Sequence, residues 1–527
     1  MASPNEKLAD SLSALRKLQA SGRNVFKSGS LSRVHRERLI EHGFLREVMK
    51  GWLISSRPGE RPGDSTPWYA SFWDFCGVYC QERFGSDWHL SPDQSLLLNA
   101  ECWDVPRQTL VYSARASNNI TQLPFGTSIY DLKERTPPRP GEVVASGGLR
   151  VFTMAAALCR IQDRFFSAKP VEAQIALLGI DTPSELLAKL LEDGQSTVAG
   201  RLVGAFRHVG RTEIADEILT TMKSVGYDVR EADPFTAPAV EIVAAGRSSP
   251  IAFRLRSMWM ACRHRIVETF PPAPGLPAGV AREQFLDFLE EIYTSDAYHS
   301  LSIEGYTVTS ALIERVRAQG WDPAAREQDS RDLNALAARG YWQAFQSVKA
   351  SIADIVDGAD AAAIARADHR KWYRELFEPC VVAGALKPSD LAGYRGNPVY
   401  LRTSRFIPPR HGVVHDAMAT LFDLIEGESE PSVKAVLGHW LIGFIHPFPD
   451  GNGRTARFLM NAMLASGGYP WTVVRVEDRT EYLAALDAAS LDADIGPFAD
   501  FMACRVRWSM ERMPPPSDIA SPGHLEP

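Results

Sequence analysis

Residues 440–468 constrain the fold more than any other part of the chain. An apolar run over 440–445 ends at His446, a loop rich in proline and glycine follows, and a helical pattern opens at Arg454. The sequence therefore predicts two helices joined by a Gly-Asn-Gly turn at 451–453. The start of a helix favours anions, because its first N–H groups are unpaired and its dipole is positive there, and glycines let a phosphate approach the backbone closely. This turn thus predicts a phosphate site.

Charged side chains of the kinds that phosphate chemistry needs surround this turn. Asp450 can hold a hard divalent cation such as Mg²⁺ together with phosphate oxygens. Arg454 and Arg457 lie three residues apart, so both guanidinium groups can reach the outer phosphates of a nucleotide. His446 is a candidate base for a hydroxyl that attacks phosphorus near neutral pH. This set indicates phosphoryl or nucleotidyl transfer.

The run HPFPDGNGRTAR at residues 446–457 resembles the HxFx(D/E)GNGRxxR signature of the Fic (filamentation-induced by cAMP) family. The resemblance implies an all-α Fic fold over 280–513 that carries a β-hairpin flap. It also implies transfer of AMP from ATP to a Ser, Thr or Tyr hydroxyl of a protein, with the chain itself as one candidate substrate. The intact GNGR differs from the Doc-like branch, in which a changed loop inverts the nucleotide and a phosphoryl group is transferred.

The resemblance also implies a role for each residue of this run. His446 would be the general base and Asp450 the Mg²⁺ ligand, with ATP as the nucleotide substrate. Arg454 and Arg457 would hold the β- and γ-phosphates, so that pyrophosphate is the leaving group. Phe448 would anchor the loop in the core. The remaining nucleotide-binding residues would be Gly451, Asn452, Gly453 and Asn461.

A second motif precedes the helical core. SLSIEG at residues 300–305 resembles the inhibitory motif (S/T)xxxE(G/N) of the same family, with Ser300 and Glu304 four residues apart on one face of a predicted helix. A carboxylate at Glu304 that pairs with Arg457 would occupy the guanidinium that the γ-phosphate needs. The alternative is an ordinary helix end with an exposed Glu. Inhibition of this kind would act within one chain or through a homodimer.

Residues 393–414 predict a β-hairpin at the edge of the domain, because apolar residues alternate there ahead of two prolines. In Fic proteins the equivalent flap binds the target segment by strand addition. The resemblance therefore assigns target binding to Arg405, Phe406 and Ile407. An ordinary surface hairpin is the alternative.

Two proline-rich breaks, at 57–67 and 270–279, divide the 527 residues. We expect a first domain over 1–57, an α+β domain over 68–270, the helical domain over 280–513 and a disordered tail over 514–527. The net charge of the chain is −7. Its seven cysteines are scattered and lack metal-ligand spacing, which favours a reducing compartment. Because no apolar run approaches a membrane helix, we expect a cytoplasmic protein without membrane contact.

The first domain is the basic part of the chain, with a net charge of +6 against −13 for the remainder. Its pattern of two helices and a short β-wing predicts a winged helix-turn-helix, and resembles the N-terminal domain of AbiEi-type antitoxins. The predicted partner is a DNA operator. Candidate DNA-binding residues are Arg33, Arg36, Arg38 and Lys50.

Two other functions stay open. The chain could be a transcriptional regulator or antitoxin-like protein whose Fic domain only senses a nucleotide, although a sensor has no need of the base at His446. It could also transfer UMP, since an anion cradle does not select the nucleoside.

Overall fold

The computed structural model describes residues 3–20, 24–56, 58, 65–235, 249–318, 332–401 and 404–512. The chain forms two compact units, which are treated separately below. Unit 1 comprises Met1–Arg254 and Val399–Pro409, and unit 2 comprises Leu255–Pro398 and Arg410–Pro527. The predicted tail over 514–527 and most of the break at 57–67 lie outside the described residues.

The N-terminal part of unit 1 contains the two predicted helices and a pair of antiparallel strands at the position predicted for the wing. A 3₁₀ turn at Ser28–Ser30 precedes the second helix. The elements are α1 (Pro4–Gln19), β1 (Val25–Lys27), α2 (Arg33–Glu41), β2 (Leu45–Met49) and β3 (Trp52–Ser55). The strands form an antiparallel sheet in the order β1-β3-β2. Strand β1 was not predicted, because three residues are too few for a periodic signal. The winged-helix interpretation stays a prediction.

The remainder of unit 1 mixes strands and helices, which confirms the predicted α+β pattern. Its strands are β4 (His89–Leu90), β5 (Gln108–Ser113), β6 (Ile120–Gln122), β7 (Ser128–Lys133), β8 (Val143–Ser146) and β9 (Leu149–Phe152). The sheet order is β4-β5-β7-β6, with β5 and β7 parallel, and β8 pairs with β9. Its helices are α3 (Thr66–Phe84), α4 (Pro92–Asn99), α5 (Met154–Arg160), α6 (Asp163–Ala168), α7 (Pro170–Leu178), α8 (Ser184–Asp193), α9 (Ser196–His208) and α10 (Thr212–Ser224).

The predicted β-hairpin at 393–414 is wrong for the residues that the structure describes there, since none of them lies in a strand. The backbone groups of this segment find partners in the α+β part instead. The Ile407 N–H donates to Asp104 Oδ1 at 3.4 Å, and the Arg405 carbonyl accepts from the Val105 N–H at 3.3 Å. Two prolines at 408–409, which lack an N–H, remove donors that a second strand would need.

Unit 2 is helical over its described residues, as the sequence predicts. Its helices begin with α11 (Pro250–Thr269), which crosses from unit 1, and continue with α12 (Val280–Ile303), α13 (Ser310–Arg317), α14 (Leu333–Val356), α15 (Ala361–Val382), α16 (Val414–Gly427), α17 (Pro431–Ile445), α18 (Asn452–Ala465), α19 (Arg479–Leu491) and α20 (Gly496–Met510). Helix α18 is the central one, with every residue except Gly453 buried. Among the described residues, none of the helices is both long and apolar enough to span a bilayer.

Candidate active site

A tight loop joins α17 to α18, as the sequence predicts. Helix α17 ends at Ile445, and the capping residue His446 has a φ of 51°, which places a non-glycine residue in the left-handed region. Gly451 has a φ of 75° and precedes the first turn of α18. The Asn452 side chain holds the loop closed, because its amide donates to the Phe448 carbonyl at 2.8 Å and accepts from the Phe448 N–H at 2.9 Å. The Phe448 ring is fully buried and stacks on Tyr373 with centroids 3.9 Å apart.

The imidazole of His446 is set up to accept a proton. Its Nδ1 lies 3.4 Å from the Gly443 carbonyl oxygen, which can only accept, so we assign the proton to Nδ1 and the free lone pair to Nε2. Burial, together with the nearby charge of Arg395, lowers the pKa of His446 to about 4. The sequence led us to expect an ordinary imidazole. The ring is therefore neutral near pH 7.

Arg395 holds this end of α17, although no motif in the sequence points to it. Its Nε donates to the His446 carbonyl at 2.7 Å and its Nη2 to the Ile445 carbonyl at 3.3 Å. Its own backbone N–H donates to the Pro447 carbonyl at 2.8 Å. These bonds satisfy carbonyls that a helix end leaves without an intrahelical partner, and they fix the strained His446 backbone.

Arg457 is bound by both residues of the predicted inhibitory motif. Its Nε donates to Ser300 Oγ at 2.9 Å, and its Nη2 donates to Glu304 Oε1 at 2.7 Å. The Glu304 carboxylate also lies against Gly453, where a Cβ would collide with Oε1. Although burial opposes it, the charges of Arg457 and Arg454 lower the pKa of Glu304, so the carboxylate is ionised at neutral pH.

Arg454 has a different environment from Arg457. Its side chain is only 1% exposed, and its guanidinium carbon lies 5.3 Å from the ring centroid of Tyr306 and 5.0 Å from that of Phe377. Asp450 Oδ1 is 3.6 Å from its Nη2. Within the described part of the chain, none of its three nitrogens has a hydrogen-bond partner within 3.5 Å. The sequence predicted Arg454 but neither of the two rings.

Asp450 fits a role as the single protein ligand of Mg²⁺. Its side chain is 64% exposed, and Oδ1 accepts the Gly451 N–H at 2.6 Å. Across the described ranges there is no group of three or more His, Cys, Asp or Glu side chains that could hold a metal ion. A cation at Asp450 would therefore take its other ligands from phosphate and water, as Mg²⁺ commonly does with nucleotides.

The structure places Asn461 in a packing role. Its Nδ2 donates to the Arg457 and Thr472 carbonyls, at 3.1 and 3.2 Å, and its Oδ1 accepts the Thr472 N–H at 2.7 Å. These bonds tie α18 to the segment that follows it. A nucleotide contact by Asn461 stays a prediction.

The flap residues and the basic residues of the first domain lie in unit 1. Phe406 is buried, and Ile407 packs on the aromatic core around α3. The guanidinium of Arg38 is turned towards α1, since it donates to the Lys7 carbonyl at 2.7 Å and to Ser11 Oγ at 2.9 Å. Arg36 donates to the Ser28 carbonyl at 3.2 Å. The exposed candidates are Arg33 on α2 and Lys50 in the β2–β3 turn.

The helical unit thus brings together a glycine turn at a helix start, a neutral imidazole and two arginines in the first turns of that helix. Residues 363–464, which include the loop, match the family model described as Fic/DOC family. The matched range includes His446, Asp450, Arg454 and Arg457.

Curated relatives match about two fifths of the chain. Protein adenylyltransferase Fic of Drosophila willistoni is 30% identical over 222 residues, which are 41% of this chain and 40% of that protein. Protein adenylyltransferase Fic of Nematostella vectensis is 31% identical over 224 residues, which are 41% of this chain and 47% of that protein. The matches thus span less than half the length of these relatives. The solved structure of Fic-1 from C. elegans, at 20% identity, covers 65% of this chain and 97% of that chain with a TM-score of 0.36, too low to support an inference.

Proposed function

We propose that the chain is an autoinhibited protein adenylyltransferase, which transfers AMP from ATP to a hydroxyl of a protein. One observation carries the proposal: an ionised carboxylate, Glu304, occupies the glycine turn at Gly453 and binds Arg457. A site that holds a carboxylate in this way is built for an anion. The catalytic loop matches the Fic/DOC family, and its relatives are named for adenylyl transfer.

His446 supplies the base in the proposed reaction. The acceptor hydroxyl gives its proton to Nε2 of His446 while its oxygen forms a bond to the α-phosphorus. The bond between the α-phosphorus and the oxygen bridging to the β-phosphate breaks, and pyrophosphate leaves with the electron pair. Arg454 and Arg457 hold the outer phosphates during this exchange. The chemistry that Mg²⁺ would supply at Asp450 is neutralisation of phosphate charge.

Glu304 inhibits by charge and by occupancy. Its carboxylate takes a donor of Arg457 that a γ-phosphate needs, and it adds negative charge where ATP would bring its own. Ser300 holds the same guanidinium through Nε, so the Arg457 side chain cannot turn to another anion while both bonds exist. Nucleotide therefore enters only when this end of α12 moves or Glu304 is removed.

The position of the label tests which group is transferred. We expect the Glu304→Gly protein to retain label from ATP labelled on the α-phosphate and none from ATP labelled on the γ-phosphate. Excess unlabelled ATP should compete with this labelling, whereas excess UTP should not. Retention of the γ label would identify a phosphotransferase. Label from UTP labelled on the α-phosphate, without label from ATP, would favour UMP transfer. ATP binding without any labelling would favour the nucleotide-sensor alternative.

We also propose that the basic N-terminal part binds DNA through its exposed face. The Arg33 side chain is 81% exposed at the start of α2, although it pairs with Glu37 at 2.7 Å. Lys50 lies in the hairpin turn, where a wing would meet phosphate. A cytoplasmic location and a homodimer stay predictions.

Replacing Arg33 and Lys50 together by Ala should weaken DNA binding about tenfold and lower the salt slope of log K by about 2, because each side chain would contact one phosphate. Fluorescence anisotropy with a duplex library at several salt concentrations measures both. Arg115 and Arg230 are 68% and 90% exposed elsewhere in unit 1, so Arg115→Ala/Arg230→Ala is a control with the same loss of charge. Equal binding by the two double variants would contradict a DNA-binding face at α2 and the wing.

A further inference from the structure

We propose that Tyr306, with Phe377, is a positioning residue for Arg454, holding its guanidinium against aromatic rings so that its N–H edges are available to a nucleotide phosphate. The inference rests on the proposed function, since it assigns Arg454 to the outer phosphates. It assigns a nucleotide-binding role to Tyr306, which lies in the same segment as Glu304.

The geometry around Arg454 carries this inference. The guanidinium carbon is 5.3 Å from the Tyr306 centroid and 5.0 Å from the Phe377 centroid, both within the range of a cation–π contact. The side chain is 1% exposed, yet its nitrogens lack a hydrogen-bond partner within 3.5 Å among the described residues. A buried guanidinium normally has its donors paired. Here the two rings, together with Asp450 Oδ1 at 3.6 Å from Nη2, stabilise the charge, and the donors make no hydrogen bond within 3.5 Å that an anion would have to displace.

The contrast with Arg457 shows why rings suit this position. A carboxylate or hydroxyl partner uses N–H donors, as Ser300 and Glu304 do on Arg457. An aromatic face attracts the cation through its π-system and uses no donor in the guanidinium plane. Arg454 can therefore be fixed in direction before nucleotide arrives, which lowers the entropy lost on binding. Phe377 also lies against Gly451, where a Cβ would contact its ring at 2.7 Å.

Tyr306 comes only two residues after Glu304, beyond a Gly305 with a φ of 93°. One short segment thus supplies a carboxylate that blocks Arg457 and a ring that supports Arg454. Removing the carboxylate alone should free the site, whereas displacing the whole segment should free Arg457 and lose the support of Arg454.

The test uses the full chain carrying Glu304→Gly, with and without Tyr306→Leu or Tyr306→Phe. Calorimetry measures the affinity for ATP and for AMP, which lacks the phosphates that Arg454 would hold. We expect Tyr306→Leu to weaken ATP binding about tenfold while AMP binding changes less than twofold, and Tyr306→Phe to keep ATP affinity within twofold. The KM for ATP in AMP transfer should rise in the Leu variant in the same proportion.

Several results would overturn this inference. Equal loss of ATP and AMP binding in Tyr306→Leu would indicate a general structural role, and unchanged ATP binding would exclude any role. If Tyr306→Phe loses as much ATP affinity as Tyr306→Leu, the hydroxyl of Tyr306 and not its ring would be the group that supports Arg454. If Glu304→Gly binds ATP but transfers no AMP, the proposed adenylyl transfer would be wrong, while the comparison of ATP and AMP affinities would still test the role of Tyr306. Absence of ATP binding by Glu304→Gly would overturn both.

Discussion

Replacing Glu304 by Gly is expected to raise ATP affinity and AMP transfer by about 100-fold. The change frees the Arg457 donor that Glu304 holds at 2.7 Å and removes a negative charge from the glycine turn at Gly453. Loss of a charge-assisted hydrogen bond and of repulsion between like charges together correspond to about 3 kcal/mol in favour of nucleotide. Calorimetry with ATP and labelling from α-labelled ATP measure the two effects independently.

Glu304→Gln is the matched control, because it keeps the size of the side chain and an oxygen that can accept from Arg457. We expect it to raise ATP affinity less than Glu304→Gly does.

Removing Glu304 also leaves the buried Arg457 charge without its carboxylate partner. In the absence of nucleotide, the Glu304→Gly protein should therefore unfold at a lower temperature than wild type. ATP should restore its stability. Unchanged ATP affinity in Glu304→Gly would contradict an inhibitory role for this carboxylate.

Replacing His446 by Ala in the Glu304→Gly background is expected to reduce AMP transfer by at least about 1000-fold, the scale of a lost general base. ATP affinity should change little, since the side chain is assigned to the acceptor hydroxyl and not to a phosphate. Single-turnover labelling gives the rate and calorimetry gives the affinity. Transfer at more than a tenth of the parent rate would exclude His446 as the base.

The pH profile separates His446 from an ordinary surface histidine. Its pKa is lowered to about 4, and a base with a lowered pKa stays deprotonated, and hence active, down to that pH. The negative charge of Glu304 raises the pKa of His446, so removing that charge should lower this pKa further. The transfer rate of Glu304→Gly should therefore stay constant from about pH 8 down to about pH 6. An ordinary histidine, with a pKa near 6.5, would lose activity within this range. A fall in rate centred near 6.5 would contradict the lowered pKa.

The loop between α17 and α18 could be predicted from the sequence because all of its determinants are local. The apolar run, the glycines and the helical period are neighbours along the chain, and the structure has helices on both sides of the turn where they were expected. The pairing of Glu304 with Arg457 was predictable only through the family motif, because 153 residues separate the two.

Contacts between distant segments could not be predicted from one sequence. Arg395 and Tyr306 lie in loops, so they share no periodicity with the catalytic run that they contact. The hairpin prediction at 393–414 failed for a related reason. Alternating apolar residues do not reveal whether their backbone will pair within the segment or, as at Ile407, with a carboxylate 303 residues away.

Intact-mass spectrometry of the Glu304→Gly protein after incubation with ATP and Mg²⁺ tests the central claim most directly. We predict that a fraction of the protein gains the mass of one AMP moiety or that added lysate proteins do, and that neither wild type nor Glu304→Gly/His446→Ala produces this gain. A gain equal to a phosphate group, or an AMP gain that persists without His446, would contradict the account.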